Sequence, residues 1–384
     1  MTRREFAGVA LGSALVSSVG ARRRGSAAAQ PAGNWPYRIH LGEQRVLLES
    51  GAHGLHYFPD AHVSFLSREP EIRLFLVAGV ATWLMRGASM SSLEPVKQVL
   101  QPGGPGTFDN GYAGVFGFHR NAHTGELLAL YHAEDHEEMP GLPGGIPGFY
   151  ASVGLAKSDD DGLTLTKLGP VITGSQPKDP AGRGDQGVGE GSVVAEASGR
   201  YLYCYYSDHS RANGRGVQIC LARSGVADGA RAGTWRKCYQ GTFQEPGLGG
   251  SETPVLSVRD MDADAAFPHV TWVPELKQYL MVFCIVAYAD LRAAEAEASG
   301  IYLATSADGL DWSEPVQLLR ALTIPRPDQE LAWHPALVLD SVAGGELRGW
   351  LYYGYSERWG WAAPCKPHYL VGREIAIRGL GPPQ

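Results

Sequence analysis

Long helices are the first thing missing from these 384 residues. Past the N-terminal stretch, no amphipathic pattern runs beyond two turns. The best candidate, Tyr288–Ser299 ("YADLRAAEAEAS"), reads as a short excursion between strands. Cysteine is scarce too. Cys204, Cys220, Cys238, Cys284 and Cys365 are odd in number and contain no CxxC spacing, which removes a zinc knuckle. Cys204, Cys220 and Cys238 fall on what should be neighbouring strands, where one disulfide or buried thiols would both fit. Neither G-x-S-x-G nor H-E-x-x-H occurs, so serine hydrolase and zincin chemistry have no support. The glycines around Glu190 precede no helix, so they cannot act as a phosphate loop.

Positive charge is also short: 33 basic residues face 40 acidic ones, a balance of −7. The first residues carry much of it. Thr2-Arg3-Arg4-Glu5-Phe6 resembles a twin-arginine export signal. An apolar stretch from Ala7 to Val19, too short for a membrane anchor, follows, then Arg22–Arg24 and the small residues Ala27–Ala29, where a peptidase could cut. The expectation is an exported chain, periplasmic or extracellular, with 1–29 removed and 30–384 as one domain. Its 28 basic and 39 acidic residues would give −11. Such a chain lacks the electrostatic footprint for nucleic acid or an anionic membrane.

What is abundant is turn chemistry: 50 glycines and 25 prolines break short strands rich in Val, Ile, Leu, Tyr and Trp. The strands recur in sets of four. "DAHVSFL", "EIRLFLVAG", "TWLMRG" and "VKQVL" form one set; "GYAGVFGFH", "ELLALYHAE", "VGLAKS" and "LTKLGPVI" form the next. Further sets begin at "EGSVVAE" and "PHVTWVP", and a last one, "HPALVLD", "RGWLYYGYS", "HYLVGREI", lacks a fourth strand. Gln44–Ser50 ("QRVLLES") is placed to supply it. Five four-stranded sheets, the last closed by an N-terminal strand, define an all-β, five-bladed β-propeller, in which closure removes exposed sheet edges. The Ser306–Trp312 turn resembles the Asp box of sialidase-like propellers, where it is structural; Asp161 and Asp308 belong to such turns.

In a propeller the innermost strand of each blade lines the central channel. The first residues of those strands read Asp60, Asp109, Glu190, His269 and His334. Charged groups rarely enter an interior without partners, because desolvation costs several kcal/mol each. "PDAHVSF", "FDNGYAGVF" and "GEGSVV", in this order, resemble the five-bladed glycoside hydrolases of family 43 and their clan relatives (arabinanases, arabinofuranosidases, xylosidases). Ala61 and Asn110 stand where that family usually has proline. The resemblance implies Asp60 as general base, Glu190 as general acid and Asp109 as the carboxylate that tunes the acid's pKa, in an inverting hydrolysis of plant or microbial glycans. "WHPALVLD…GWLYYGY" resembles the fifth-blade segment whose histidine helps hold an ion or water, which makes His334 the candidate holder of a calcium or sodium ion; no cofactor is otherwise required. His269, His334, Trp333 and Tyr112 are the expected substrate contacts, an oligo- or polysaccharide the expected partner, and a monomer the expected state.

Weaker candidates accompany these. "HAEDHEE" (His132–Glu138) could bind a cation but reads as a solvated loop, and Glu252 is a rival acid. Trp83, Tyr150, Trp359 and Trp361 also lie near strand ends, where sugar stacking competes with packing. Two other functions fit the same fold: a non-catalytic carbohydrate-binding propeller, and a sialidase-like or lyase propeller, which the scarcity of strand-start arginines disfavours.

Overall fold

The structure is a computed structural model that describes residues 37–121, 124–142, 147–210, 216–258, 263–287, 298–321, 330–357 and 368–379. The candidate export signal, most of the Tyr288–Ser299 stretch, Trp359, Trp361 and Cys365 lie outside these residues.

The described chain is all-β. After β1 (Arg38–Leu41) and β2 (Arg45–Leu48), antiparallel pairing divides the strands into five groups, the first three of which are joined into one 13-stranded sheet by parallel pairing at Ala81↔Ala113 and at Asp185–Gly187 against Phe149–Ala151. The first holds β3 (Ser64–Ser67), β4 (Ile72–Ala78), β5 (Ala81–Gly87) and β6 (Glu94–Leu100). The second holds β7 (Tyr112–Arg120), β8 (Leu127–Asp135), β9 (Phe149–Ser158) and β10 (Thr166–Thr173). β11 (Asp185–Ala195), β12 (Tyr201–Asp208), β13 (Gln218–Gly225), β14 (Arg236–Tyr239) and β15 (Thr242–Pro246) make the third. β16 (Ala263–Val273), β17 (Gln278–Ala287), β18 (Gly300–Ser306) and β19 (Val316–Arg320) make the fourth. β20 (Leu331–Ala343), β21 (Glu346–Ser356) and β22 (Tyr369–Arg378) make the fifth. β2 pairs with β22 through Arg45↔Gly372, Val46↔Val371 and Leu48↔Leu370, as the missing strand of the last repeat requires. β1 pairs further along β22, an addition the sequence pattern did not signal.

The second strand of each group reads as a continuous apolar run rather than an alternation, because both of its faces are covered. In β8, Leu127 to Ala133 are all buried. The cores lie between groups, not within them. Phe75 and Leu84 pack on Val115 and Tyr131; Leu130 and Val153 on Cys204 and Trp235; Tyr205 and Leu221 on Met281 and Phe283. Leu280 and Ile301 pack on Leu351 and Ile375, and Tyr352 and Leu370 return to Leu74 and Met85 of the first group. Burying each such side chain stabilises by roughly 1.5–3 kcal/mol, so the large faces hold the groups side by side.

The repeated turns are structural. Ser306 Oγ accepts the Gly309 N–H at 2.8 Å, and Asp308 Oδ1 accepts the N–H groups of Leu310 at 2.8 Å and Asp311 at 2.9 Å. In the second group Ser158 and Asp160 play these parts, while Asp161 forms ion pairs with Arg73 and Arg120. Cys204, Cys220, Cys238 and Cys284 are buried free thiols. Glu252 is no acid at the channel: its side chain is fully buried against Lys237, whose ammonium also donates to the carbonyls of Thr173 and Gly250, each at 2.7 Å.

Candidate active site

The inner strands do more than line an axis. β11, β16 and β20 each carry a register shift, at Gly189/Ser192, Ala266/His269 and Trp333/Ala336. Within these bulges Glu190 (φ 49°), Phe267 (φ 58°) and His334 (φ 50°) adopt left-handed backbone. Such conformations cost about 1–3 kcal/mol at a non-glycine residue and concentrate at functional sites. The three positions correspond, so the fourth group offers Phe267, not His269, at the level of Glu190 and His334. His269 lies two residues further along the strand. Its ring is 5.4 Å from that of His62, and burial and His62 depress its pKa to about 3.

Three carboxylates, Asp60, Glu134 and Glu190, share one electrostatic neighbourhood. Asp60 precedes β3 with its backbone N–H fixed on Val77 O at 3.1 Å. Burial, then the negative charges of Glu134 and Glu190, raises its carboxyl well above the usual value. His334 Nε2 lies 3.6 Å from Asp60 Oδ1, and the Tyr112 hydroxyl donates to the Asp60 main-chain oxygen. Burial holds the His334 pKa down to about 4.

Glu134 comes from the second strand of its group. His132, Glu134 and His136 alternate along β8 and its end, so they share one face. His132 Nε2 lies 2.9 Å from Glu134 Oε1, and His136 Nε2 lies 2.5 Å from Oε2. Burial opposes ionisation there, but the two imidazoles reverse it and hold the carboxyl at about 2. The His132 ring joins this carboxylate to the next, since its Nδ1 accepts the Glu190 N–H at 3.2 Å. Close approach explains the glycine before Glu190: a Cβ at Gly189 would stand 1.9 Å from His132 Nδ1. For Glu190, burial again raises the pKa, yet the net displacement is downward because His209 Nε2 sits 3.5 Å from its Oε2.

Asp109 does not join this group. Its carboxylate is buried against Lys167 Nζ at 2.5 Å and the Tyr131 hydroxyl at 3.1 Å. Lys167 stands on β10, the outermost strand of the second group, so Asp109 is turned away from the acid it was expected to tune. The third carboxylate is Glu134, in the run expected to be a solvated loop. The alternating His-x-Glu-x-His was the signal for it. The tail of that run, Glu137 and Glu138, is exposed.

The expected substrate contacts are deeper than a sugar platform. Tyr112 is 5 % exposed and Trp333 7 %, and the Trp333 ring packs on His334, with centroids 5.0 Å apart. Trp83 packs against the core between the first and fifth groups, and the Tyr150 hydroxyl donates to Gln176 O at 2.8 Å. Better placed are Phe149, half-buried between His132 and His209 with centroids 6.0 and 5.6 Å away, and half-buried Tyr57, whose hydroxyl feels all three carboxylates. His334 turns its Nε2 to Asp60, and among the described residues no three His, Cys, Asp or Glu side chains are grouped to hold a metal ion. A separate cavity of about 470 Å³ is lined by residues of all five inner strands, among them Phe65, Phe118, Ser192, His269 and Leu337, and not by the carboxylates.

No known sequence family and no curated protein matches the chain. Solved structures do. An α-L-arabinofuranosidase from Lactobacillus brevis aligns at 11 % identity and a TM-score of 0.53, over 84 % of this chain and 94 % of that one. The Penicillium chrysogenum α-L-arabinanase complexed with arabinobiose aligns at 13 % identity and 0.50, over 86 % and 98 %. An N-acetylgalactosamine deacetylase from F. plautii, in complex with blood group B trisaccharide, aligns at 12 % identity and 0.50, over 91 % and 94 %. The chain therefore has a fold like that of the arabinanase and arabinofuranosidase type of glycoside hydrolase. The deacetylase shows that the fold alone does not choose the reaction.

Proposed function

We propose that the chain is an exported, monomeric glycoside hydrolase, built as a five-bladed β-propeller whose last blade is completed by β1 and β2. The five groups defined by antiparallel pairing, their packing side by side and a cavity lined by all five inner strands support the blade count. The observation that carries the function is the gathering of Asp60, Glu134 and Glu190, half-buried and electrostatically coupled, beside left-handed backbone at Glu190 and His334. Hydrolysis of a glycoside requires one protonated and one ionised carboxyl group flanking the anomeric carbon. Asp60 and Glu190 are that pair, displaced in opposite directions from their ordinary values.

The reaction is an inverting one. One carboxyl group protonates the leaving oxygen while the other takes a proton from the water that attacks the opposite face of the sugar. Glu134 adds a negative charge beside Asp60, in the neighbourhood where the sequence gave reason to expect Asp109. The substrate is a neutral glycan of the arabinose-containing kind, in line with the arabinobiose bound to the aligned arabinanase.

The test is a panel of aryl α-L-arabinofuranosides, β-xylosides and β-galactosides. Release of the aryl alcohol from at least one is expected. Binding of oligosaccharides without turnover of any member would replace this reading with that of a carbohydrate-binding propeller.

A further inference from the structure

The left-handed residues of two neighbouring bulges are held by the same kind of contact. Phe267 N–H donates to Ser207 Oγ at 3.1 Å, and Glu190 N–H donates to His132 Nδ1 at 3.2 Å. Ser207 and His132 each stand on the second strand of the preceding group, β12 and β8. A left-handed conformation at a non-glycine residue persists only where its surroundings over-determine it. At Phe267 a hydroxyl suffices. At Glu190 a bulkier, buried imidazole takes that place, and the chain makes room for it at Gly189, where a Cβ would meet the ring although the backbone there is not left-handed. Ser207 Oγ completes the turn by donating to Glu190 O at 3.3 Å.

What the imidazole adds is a second, directional end. Nδ1 receives a backbone N–H and therefore carries no proton, so the ring N–H is on Nε2, which donates to Glu134 Oε1 at 2.9 Å. The other oxygen of Glu134 is fixed by His136 Nε2 at 2.5 Å, and the His136 backbone N–H donates to Asn110 Oδ1 at 2.9 Å. A strut thus runs from Asn110 through His136, Glu134 and His132 to the backbone of Glu190, from the second group into the third. We propose that His132, held in its Nε2–H tautomer by Glu134, is a positioning residue that sets the turn at Glu190 and with it the aim of the Glu190 carboxyl at the sugar. It transfers no proton in the hydrolysis, because both of its ring nitrogens are already engaged.

This role rests on the glycosidase reading, and two readouts separate their failures. The first is the nitrogen NMR spectrum of the His132 ring in the wild type at neutral pH. Nε2 should carry the proton and Nδ1 none. A proton on Nδ1 would overturn the strut whether or not any glycoside is cleaved, because the Glu190 N–H would then face a donor. The second readout is kinetic, on a glycoside that the wild type cleaves. The side-chain oxygen of Asn can stand where Nδ1 stands, whereas the amide of Gln reaches only the place of Nε2. His132→Asn should therefore keep most of kcat. His132→Gln should lower kcat by about 10²-fold with KM little changed, the loss expected when a reacting group is misplaced by roughly 1 Å. Gly189→Ala, which crowds the same ring, should behave like His132→Gln. Folded Asn and Gln variants of equal kcat, or the reverse order, would overturn the positioning role, and so would Gly189→Ala at the wild-type kcat. No turnover of any glycoside by the wild type would instead defeat the glycosidase reading, and the role in hydrolysis with it, whatever the tautomer.

Discussion

Replacing Glu134 by Gln removes one negative charge from the site and keeps its volume. The Glu134 side chain is 13 % exposed, and imidazole nitrogens lie 2.9 and 2.5 Å from its two oxygens. Its carboxyl is displaced from 4.5 to about 2, against the upward push of burial. A carboxyl lowered in this way stabilises the fold above the unfolded value and loses that contribution as pH falls toward the folded one. At neutral pH the displacement corresponds to about 3 kcal/mol. Because Gln mimics the protonated acid, Glu134→Gln should unfold in urea with a stability about 3 kcal/mol below wild type at pH 7. At pH 3, between the two values, less than half of that gap should remain. Equal stability at pH 7 would refute the argument, and so would a gap of the same size at both pH values.

Three other outcomes follow from the same physics. Asp60→Asn should be more stable than wild type at neutral pH while losing activity, because the carboxyl raised by burial costs stability once it ionises; the gain should vanish below the ordinary value of 3.8, and thermal unfolding across that range checks it. Lys237→Met should cost about 3–5 kcal/mol by removing the ammonium that faces the buried Glu252 carboxylate, whereas Lys237→Met with Glu252→Leu should recover most of it; equal losses in urea unfolding would contradict the ion-pair account. Arg3→Lys with Arg4→Lys should leave the protein in the cytoplasm, and unchanged secretion in a fractionation assay would show that another signal operates.

The sequence was most legible where the chain repeats. The succession of short antiparallel strands, the Ser158 and Ser306 turns and the pairing of Gln44–Ser50 with the last strand all follow from turn residues and apolar runs, which are local properties; the extra strand β15 at the edge of the third group does not. Even the placement of Asp60 and Glu190 in one neighbourhood follows, since Asp60 leads into one inner strand and Glu190 lies on another. Reading by position failed where the backbone bulges. The left-handed residue in β16 made Phe267 the counterpart of Glu190, with His269 two residues further along. Asp109 was lost for another reason: Lys167, 58 positions later in the chain, captures its carboxylate. That pairing depends on which strand lies outermost, which no local pattern encodes. Glu134 was passed over because its run reads as a solvated loop, while its neighbours at alternate positions, His132 and His136, pointed to a shared face.

The most direct test of the central claim is the hydrolysis rate of Asp60→Asn and Glu190→Gln on a glycoside with a poor leaving group that the wild type cleaves, with folding of both variants verified. Loss of either proton-transfer group should lower kcat by about 10²–10⁴-fold. Undiminished turnover by both folded variants would show that the carboxylates at the axis are structural, and that the chemistry of this chain lies elsewhere.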